Sequence, residues 1–342
     1  MSPHDSSHRE QFGRYELATV LSHYELGRIT SIRRFPRGSR RSPKVHITAG
    51  DGEFLLKRRA PGRDDPYRVA FAHAIQLHLG ERGFPIADLI GTRVENNSLL
   101  QLEGRTYEMF RFCPGRHASR TASHARRAGE LMGRMHRLLV DCRPTFDSPV
   151  GSYHDVPGAG ATIRSLPDRI LAREPDLDRA ELRRTSAFLV EVYEEATEQV
   201  RVAGFRSFGR EIIHGDYHPG NLLFRGEEIA ALLDFDSARI EPRLVDVANG
   251  ALQFAMEMTD PTDPRDWPDG LDGERIHAFV GGYDAGAGAA LDDRELDALP
   301  WLMLEGLIME SVIPIANEGR FARIPGSAFL DMIARKAEWL AN

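Results

Sequence analysis

What this 342-residue chain has little of narrows its class first. Two cysteines, Cys113 and Cys142, are too few for a disulfide framework. With no signal-peptide pattern beside them, they point to a reducing cytoplasm. Positive charge is not in excess: 44 Lys and Arg against 51 Asp and Glu leave a net charge of −7. That balance carries no electrostatic footprint for nucleic acid. No apolar run approaches the roughly 20 residues of a membrane helix. There is no internal repeat and no extended low-complexity segment. No Gly-x-x-x-x-Gly-Lys-Ser/Thr phosphate loop occurs, and no Gly-x-Gly-x-x-Gly follows the first strand. The length suits one large or two ordinary domains of roughly 150 residues each, and a hydrophobic content of 42% supports a proper core.

What is present is concentrated in one stretch. Ile212-Ile213 leads into His214-Gly215-Asp216-Tyr217-His218-Pro219-Gly220-Asn221, and Leu222-Leu223-Phe224 leads out. Ile229-Ala230-Ala231-Leu232-Leu233 then delivers Asp234-Phe235-Asp236. The pattern predicts a strand, a polar loop, a hairpin and an acidic loop, with polar groups presented at strand ends. The spacing His-x-Asp-x-x-x-x-Asn is that of kinase-type phosphoryl transfer. That chemistry needs a carboxylate to orient the acceptor hydroxyl and take its proton, a role Asp216 fits. It also needs oxygen ligands for Mg²⁺, which keeps phosphate oxygens and waters as well. Asn221 and Asp234 supply an amide oxygen and a carboxylate. A metal-dependent hydrolase built on His214, Asp216, His218, Asp234 and Asp236 is the competing reading. It leaves Asn221 and Lys57 without a purpose and the preceding β-rich block unexplained.

Ahead of this stretch, residues 1 to about 10 read as a disordered start, and Arg14 to Tyr24 has helical spacing. A β-rich block follows over Gly27 to Phe35, Lys44 to Thr48 and Glu53 to Lys57, with Gly50-Asp51-Gly52 as a hairpin turn. The turn Pro36-Arg37-Gly38-Ser39-Arg40-Arg41-Ser42-Pro43 has two readings. By itself it is an ordinary solvated loop; its backbone N–H groups, near Ser39 and Arg40, also suit a phosphate. Val69 to Leu79 is predicted helical, and Leu99 to Phe110 a hairpin over Glu103-Gly104. From about Ser119 the chain turns helical. Ala125–Leu139, Ile163–Leu171, Leu182–Val202, Glu274–Asp284, Glu295–Pro314 and Ser327–Leu340 carry the periodic apolar spacing. Thr259 to Gly273 reads as a loop. Asp260, Asp263, Asp266, Asp269, Asp272 and Glu305 read as loop and surface charges.

The catalytic stretch and Leu233-Asp234-Phe235 resemble the aminoglycoside phosphotransferase and choline kinase-like superfamily, which shares the protein-kinase fold. The resemblance covers roughly Leu26 to Ala248. Tyr24-Glu25-Leu26-Gly27, Phe279-Val280-Gly281-Gly282-Tyr283 and Ala298-Leu299-Pro300-Trp301 are similar to homoserine kinase-like members. Spore-coat and stress-response kinases share the layout. The resemblance implies an α+β, bilobal fold: an N-terminal antiparallel β lobe over 25–113, preceded by a helical extension over 1–24, and a larger helical C-terminal lobe over 114–342. It implies ATP and Mg²⁺ as cofactors and a small-molecule hydroxyl acceptor, such as an amino alcohol, a homoserine-like metabolite or an aminoglycoside. A protein acceptor, hence a Ser/Thr protein kinase, and an inactive pseudokinase are the alternatives of the same fold.

The resemblance also assigns residues. Lys57, at the end of its strand, would hold nucleotide phosphates. The backbone near Arg111 and Cys113 would meet the adenine edge at the interlobe hinge. His214 and Asp246 would support the catalytic loop. Asp236 and His218 would lie beside the substrate or behind the metal and base. One departure stands out: the helix over Val69–Leu79 lacks the glutamate that pairs with the strand lysine in kinases. Arg68, His73 and Gln76 occupy the nearby positions, and the partner of Lys57 stays unassigned.

Overall fold

The computed structural model describes residues 9–260 and 263–342. Residues 1–8 of the predicted disordered start, and residues 261 and 262 of the predicted 259–273 loop, lie outside the described residues. In chain order the elements are α1 (Arg14–Leu21), β1 (Ser31–Arg34), β2 (Lys44–Ala49), β3 (Gly52–Arg58), α2 (Pro66–Glu81), β4 (Leu99–Leu102), β5 (Arg105–Arg111) and β6 (Arg116–His117). Then come α3 (Ala122–Leu139), α4 (Ala159–Arg164), α5 (Leu166–Leu171), α6 (Arg179–Val202), β7 (Arg210–Ile213), β8 (Leu222–Arg225), β9 (Glu228–Leu232) and β10 (Arg239–Pro242). The chain ends with α7 (Leu244–Ala255), α8 (Gly273–Ala287), α9 (Asp293–Glu318), β11 (Arg320–Phe321), β12 (Ile324–Pro325) and α10 (Gly326–Ala341). The chain has the α+β, protein-kinase-like fold, and it divides into two compact units. The first holds the residues up to His117 with Asp141–Pro149 and Asn221–Ala238; the second holds Ala118–Val140, Val150–Gly220 and Arg239–Asn342.

The first unit is built on an antiparallel sheet in the order β1-β2-β3-β5-β4. Alternation sorts its two faces. Val45, Ile47 and Ala49 of β2 and Phe54 and Leu56 of β3 enter one core with Tyr107 and Met109 of β5. Lys44 and Lys57, a cross-strand pair, therefore share the other face. Val20 of α1 and Tyr24 just beyond it join the same core, and Glu16 accepts from Arg58 at 2.6 Å and from the Tyr107 hydroxyl at 2.9 Å. The N-terminal helix is thus part of this unit's packing. Helix α2 starts three residues earlier than the apolar spacing suggests. Pro66 occupies its first turn, and the Asp65 carboxylate caps the N–H groups of Tyr67 and Arg68.

The second unit owes its closest helix pair to glycine. Gly129 and Gly133 of α3 face Gly282 and Gly286 of α8, four residues apart in both helices. A Cβ on Gly129 would lie 2.0 Å from the Phe279 carbonyl oxygen, and one on Gly282 would lie 2.1 Å from that of Arg126. Only hydrogen side chains permit this approach. Gly282→Ala is therefore expected to cost about 1–3 kcal/mol through overpacking. Chemical denaturation checks this; an unchanged midpoint would refute it. Helix α9 is long and apolar enough to suit a membrane span by composition, an exception to the reading that no run approaches that length. Here 72% of that window is buried inside the protein, so it serves as a core helix. Glu305 on α9, read from sequence as a surface charge, is fully buried. Its carboxylate accepts from Thr197 at 2.6 Å and lies 3.0 Å from His154 Nδ1.

Candidate active site

In the first unit, the partner that Lys57 lacks on helix α2 comes from the neighbouring strand. Antiparallel register sets Glu108 of β5 directly opposite Lys57. The Glu108 carboxylate lies 3.6 Å from the Lys57 ammonium and takes a bidentate pair from Arg59, Nε and Nη2 each at 2.7 Å. Helix α2 still contributes: His73 Nε2 meets the same carboxylate at 2.8 Å, and its Nδ1 meets Ser98 Oγ at 2.9 Å. Glu108 is 1% exposed, so its charge survives only because these cations face it. Burial pushes its carboxyl up, but Lys57, Arg59 and His73 outweigh that and hold it well below the usual range. Burial likewise pulls the Lys57 ammonium down; Glu108, Asp236 and Asp234 reverse this and raise it above the usual lysine value.

Asp236 is taken up by the same network. One carboxylate oxygen lies 3.0 Å from Lys57 Nζ and the other 2.7 Å from Arg59 Nη2. Both oxygens meet cations of the first unit, so the structure places Asp236 among ion pairs. Asp234 stands differently. It lies 3.7 Å from Lys57, its side chain is 42% exposed, and its backbone has φ of 63°. Aspartate is among the few residues that tolerate that left-handed region, and strain of this kind clusters at functional loops.

The β8–β9 hairpin explains how Asn221 and Asp234 come together. Leu222 pairs with Leu232, and the Leu233 N–H donates to the Asn221 carbonyl at 2.8 Å. Residues distant in sequence thus end adjacent strands side by side. Among the described residues no group of three or more His, Cys, Asp or Glu side chains is placed to hold a metal. The available donor set is this amide and carboxylate, which fits a hard cation that keeps phosphate and water ligands.

The remaining nucleotide candidates of this unit are distributed unevenly. The turn bearing Ser39 and Arg40 is tied to the N-terminal segment: Arg9 donates to the Gly38 and Ser39 carbonyls, and Glu10 N–H to that of Arg40. At the end of β5, the Arg111 N–H is committed to the Asp88 carbonyl at 2.8 Å, and its guanidinium lies over the Phe54 ring. Arg111 therefore offers no N–H to an adenine edge. Cys113 is a free thiol 3.7 Å from the Ala230 carbonyl. Burial raises its thiol above the usual value, which disfavours thiolate chemistry.

In the second unit, one buried carboxylate shapes the loop that bears Asp216. Asp246 of α7 accepts the N–H of His214 at 2.6 Å and that of Gly215 at 2.7 Å. His136 of α3 closes the set, its Nε2 3.2 Å from Asp246. Burial raises the Asp246 carboxyl, but His136, His214 and the Gly215 N–H bring it below the usual value. His214 is fully buried, and its Nδ1 accepts the Asp216 N–H at 3.3 Å. The Tyr217 hydroxyl donates to the Ala128 carbonyl at 2.7 Å, fastening the loop to α3. His218 folds back on its own turn, Nδ1 accepting the Gly220 N–H at 3.0 Å. With every neighbour anchored, the Asp216 side chain remains 41% exposed.

Beside Asp216 the unit carries groups that sequence reasoning missed. The Tyr153 hydroxyl donates to the Gly215 carbonyl at 3.4 Å, and the Arg239 guanidinium lies over the Tyr153 ring. The Glu310 carboxylate of α9 lies beside Tyr153 and accepts from Gln253 Nε2 at 2.7 Å. Burial, reinforced by the Asp216 charge, pushes the Glu310 carboxyl up to about 7. Glu310 sits within an apolar helical pattern, so nothing in its spacing marks it.

Several known kinases are similar to this chain. The homoserine kinase of Hyphomonas neptunium (strain ATCC 15444) is 26% identical over 299 residues, 84% of this chain and 82% of that one. The homoserine kinase of Chelativorans sp. (strain BNC1) is 27% identical over 225 residues, 64% of this chain and 63% of that kinase, so the match spans less than two thirds of its length. Among solved structures, a microcompartment-associated aminopropanol kinase aligns with a TM-score of 0.71 at 13% identity over 95% of both chains. That likeness carries the fold. A model of the phosphotransferase enzyme family matches residues 31–297, a span that includes Lys57, Glu108, Asp216, Asn221, Asp234 and Asp246, and the chain belongs to that family.

Proposed function

We propose that this chain transfers the γ-phosphate of ATP to a hydroxyl of a small-molecule acceptor, with Asp216 as the base. The carrying observation is the loop itself. Asp246 and His136 anchor the backbone on the N-terminal side of Asp216, His218 stiffens the turn after it and stands 3.8 Å from the Asp216 carboxylate, and the Asp216 side chain is 41% exposed. A pre-positioned carboxylate is what phosphoryl transfer asks of the protein, because alignment and charge cancellation supply most of the catalysis. Lys57, held charged by Glu108, neutralises phosphate oxygens. Asn221 and Asp234 would hold Mg²⁺, which supplies charge cancellation on the transferred group when bound. The paired acids and lysine argue for turnover over a binding-only role, and the two free cysteines suit a cytoplasmic enzyme.

The acceptor reading is an amino alcohol or a related aminated hydroxy compound. Homoserine kinases and an aminopropanol kinase are among the similar proteins. Glu310, beside Tyr153 and near Asp216, offers a carboxylate for an ammonium group. Its raised carboxyl sets the sign of two effects. In the fold without ligand, it favours the neutral form. Its stabilising contribution is full below about 4.5 and is lost as pH rises to about 7. An ammonium ligand favours the anion, so KM for an aminated acceptor should fall as pH rises through about 7. Glu310→Gln should flatten that dependence and raise KM about tenfold, the worth of one charged hydrogen bond. A screen of homoserine, aminopropanol, choline, aminoglycosides and casein with labelled ATP and Mg²⁺ tests the whole reading. Label on an amino alcohol or aminoglycoside supports it. Label on casein alone would make the chain a protein kinase and overturn it.

A further inference from the structure

The first unit holds a second lysine that the ion-pair network leaves out. Lys44 opens β2 directly opposite Lys57, so two ammonium groups stand on one face of the sheet. Like charges in a directly opposed pair are destabilising. Lys57 has three carboxylates within 3.7 Å; the Lys44 ammonium makes no hydrogen bond or ion pair with any described residue. It is nonetheless largely shielded from water. Burial, and next the charge of Lys57, disfavours its charged form, while Asp234, Asp236 and Glu108 favour it from a distance.

The turn above it is shaped around this ammonium. Gly38 has φ of +78°, and a Cβ there would lie 2.7 Å from Lys44 Nζ. The one glycine of the Pro36–Pro43 turn is thus where the lysine tip fits beneath the backbone. Around the cluster, Glu108, Asp236 and Asp234 match Lys57, Arg59 and Lys44 in number, but the direct ion pairs go to Lys57 and Arg59, and Lys44 touches none of the three. A largely desolvated ammonium without a direct partner is costly, and the contact it lacks is one with an anion.

We propose that Lys44 is a second phosphate-binding lysine, placed with Lys57 and the Gly38 turn to hold the terminal phosphates of the nucleotide. This rests on the reading of the chain as an ATP-dependent kinase. A compact ammonium serves as a point charge for phosphate, as a lysine does in other nucleotide sites. The Gly38 turn and Lys44 together then give the loop bearing Ser39 and Arg40 its purpose: it covers a cation that covers a phosphate.

Titration calorimetry of the full chain with Mg²⁺ and AMP-PNP, and separately with adenosine, tests this. Lys44→Met should weaken AMP-PNP binding about 10- to 100-fold and leave adenosine within twofold, since removing a charged contact acts on the phosphates alone. Lys44→Arg should recover part of the loss. Without nucleotide, Lys44→Met should melt at the same temperature as wild type or higher, because it removes an unpaired buried charge; a merely structural lysine would lower the Tm. Gly38→Ala, which forces the ammonium aside, should weaken AMP-PNP binding while Lys44 stays in place, and serves if Lys44→Met does not fold. Equal AMP-PNP affinity in wild type and in the folded Lys44→Met variant overturns the Lys44 assignment alone. A folded wild type that binds neither ligand overturns the kinase reading, and the Lys44 assignment with it.

Discussion

Asp216→Asn is expected to lower kcat by about 10²- to 10⁴-fold while AMP-PNP affinity stays within a few-fold of wild type. The substitution keeps the size of the side chain and removes its basicity. The loop survives because its anchors lie elsewhere: His214 and Gly215 donate their N–H groups to Asp246, and Gly220 donates to His218. Nucleotide affinity should survive because the groups proposed to hold phosphate and metal, Lys57, Asn221 and Asp234, belong to the first unit. Acceptor-dependent ATP consumption measures the first quantity and calorimetry the second. Should wild type and variant consume ATP at one rate, Asp216 is not the base. A loss of nucleotide affinity matching the loss of rate would instead show that the loop had collapsed.

Glu108→Ala should be the most destabilising single change at the site, by about 3–5 kcal/mol, because it strands buried cations without their partner. Arg59 loses both bonds of its bidentate pair, His73 loses its carboxylate, and Lys57 keeps only Asp236 and Asp234. Glu108→Gln, which retains shape and some hydrogen bonding, should fall between wild type and alanine. The same residue predicts acid sensitivity. Its carboxyl lies well below the ordinary value of 4.5, so its contribution is present above about pH 4.5 and fades as pH falls further. The stability gap between wild type and Glu108→Gln in denaturation curves should therefore be smaller at pH 3.5 than at pH 7. An alanine variant as stable as wild type at pH 7 would remove Glu108 from the role of the Lys57 partner.

The helix glutamate missing from α2 was visible in the sequence, but its replacement was not. Glu108 lies in a strand recognisable from its hairpin, 51 positions from Lys57 in the numbering. Which β5 residue faces Lys57 depends on register, and a shift of one residue would have turned Glu108 to the opposite face. Strand ends showed the same limit. Alternation over Gly27–Phe35 predicts a long first strand, whereas β1 spans Ser31–Arg34, preceded by Gly27 in the left-handed region. The glycines of α3 and α8 were present as letters. Their meaning depends on two helices far apart in the chain, Ala122–Leu139 and Gly273–Ala287, meeting face to face.

The sequence by itself singled out the candidate catalytic and metal-binding runs, because each is contiguous and its proposed chemistry is carried by neighbours along the chain. His214 to Asn221 and Asp234 needed no register to be recognised. The order of a β-rich part followed by a helical part was likewise legible from periodicity, since pleat and helix stamp their repeats locally. Tertiary structure decided what faces what. Strand pairing supplied Glu108 to Lys57 and set Lys44 beside it, and helix packing brought His136 to Asp246 and Glu310 to Tyr153. These are contacts between residues far apart in sequence, and their free energy comes from burial and paired charge that no local window contains.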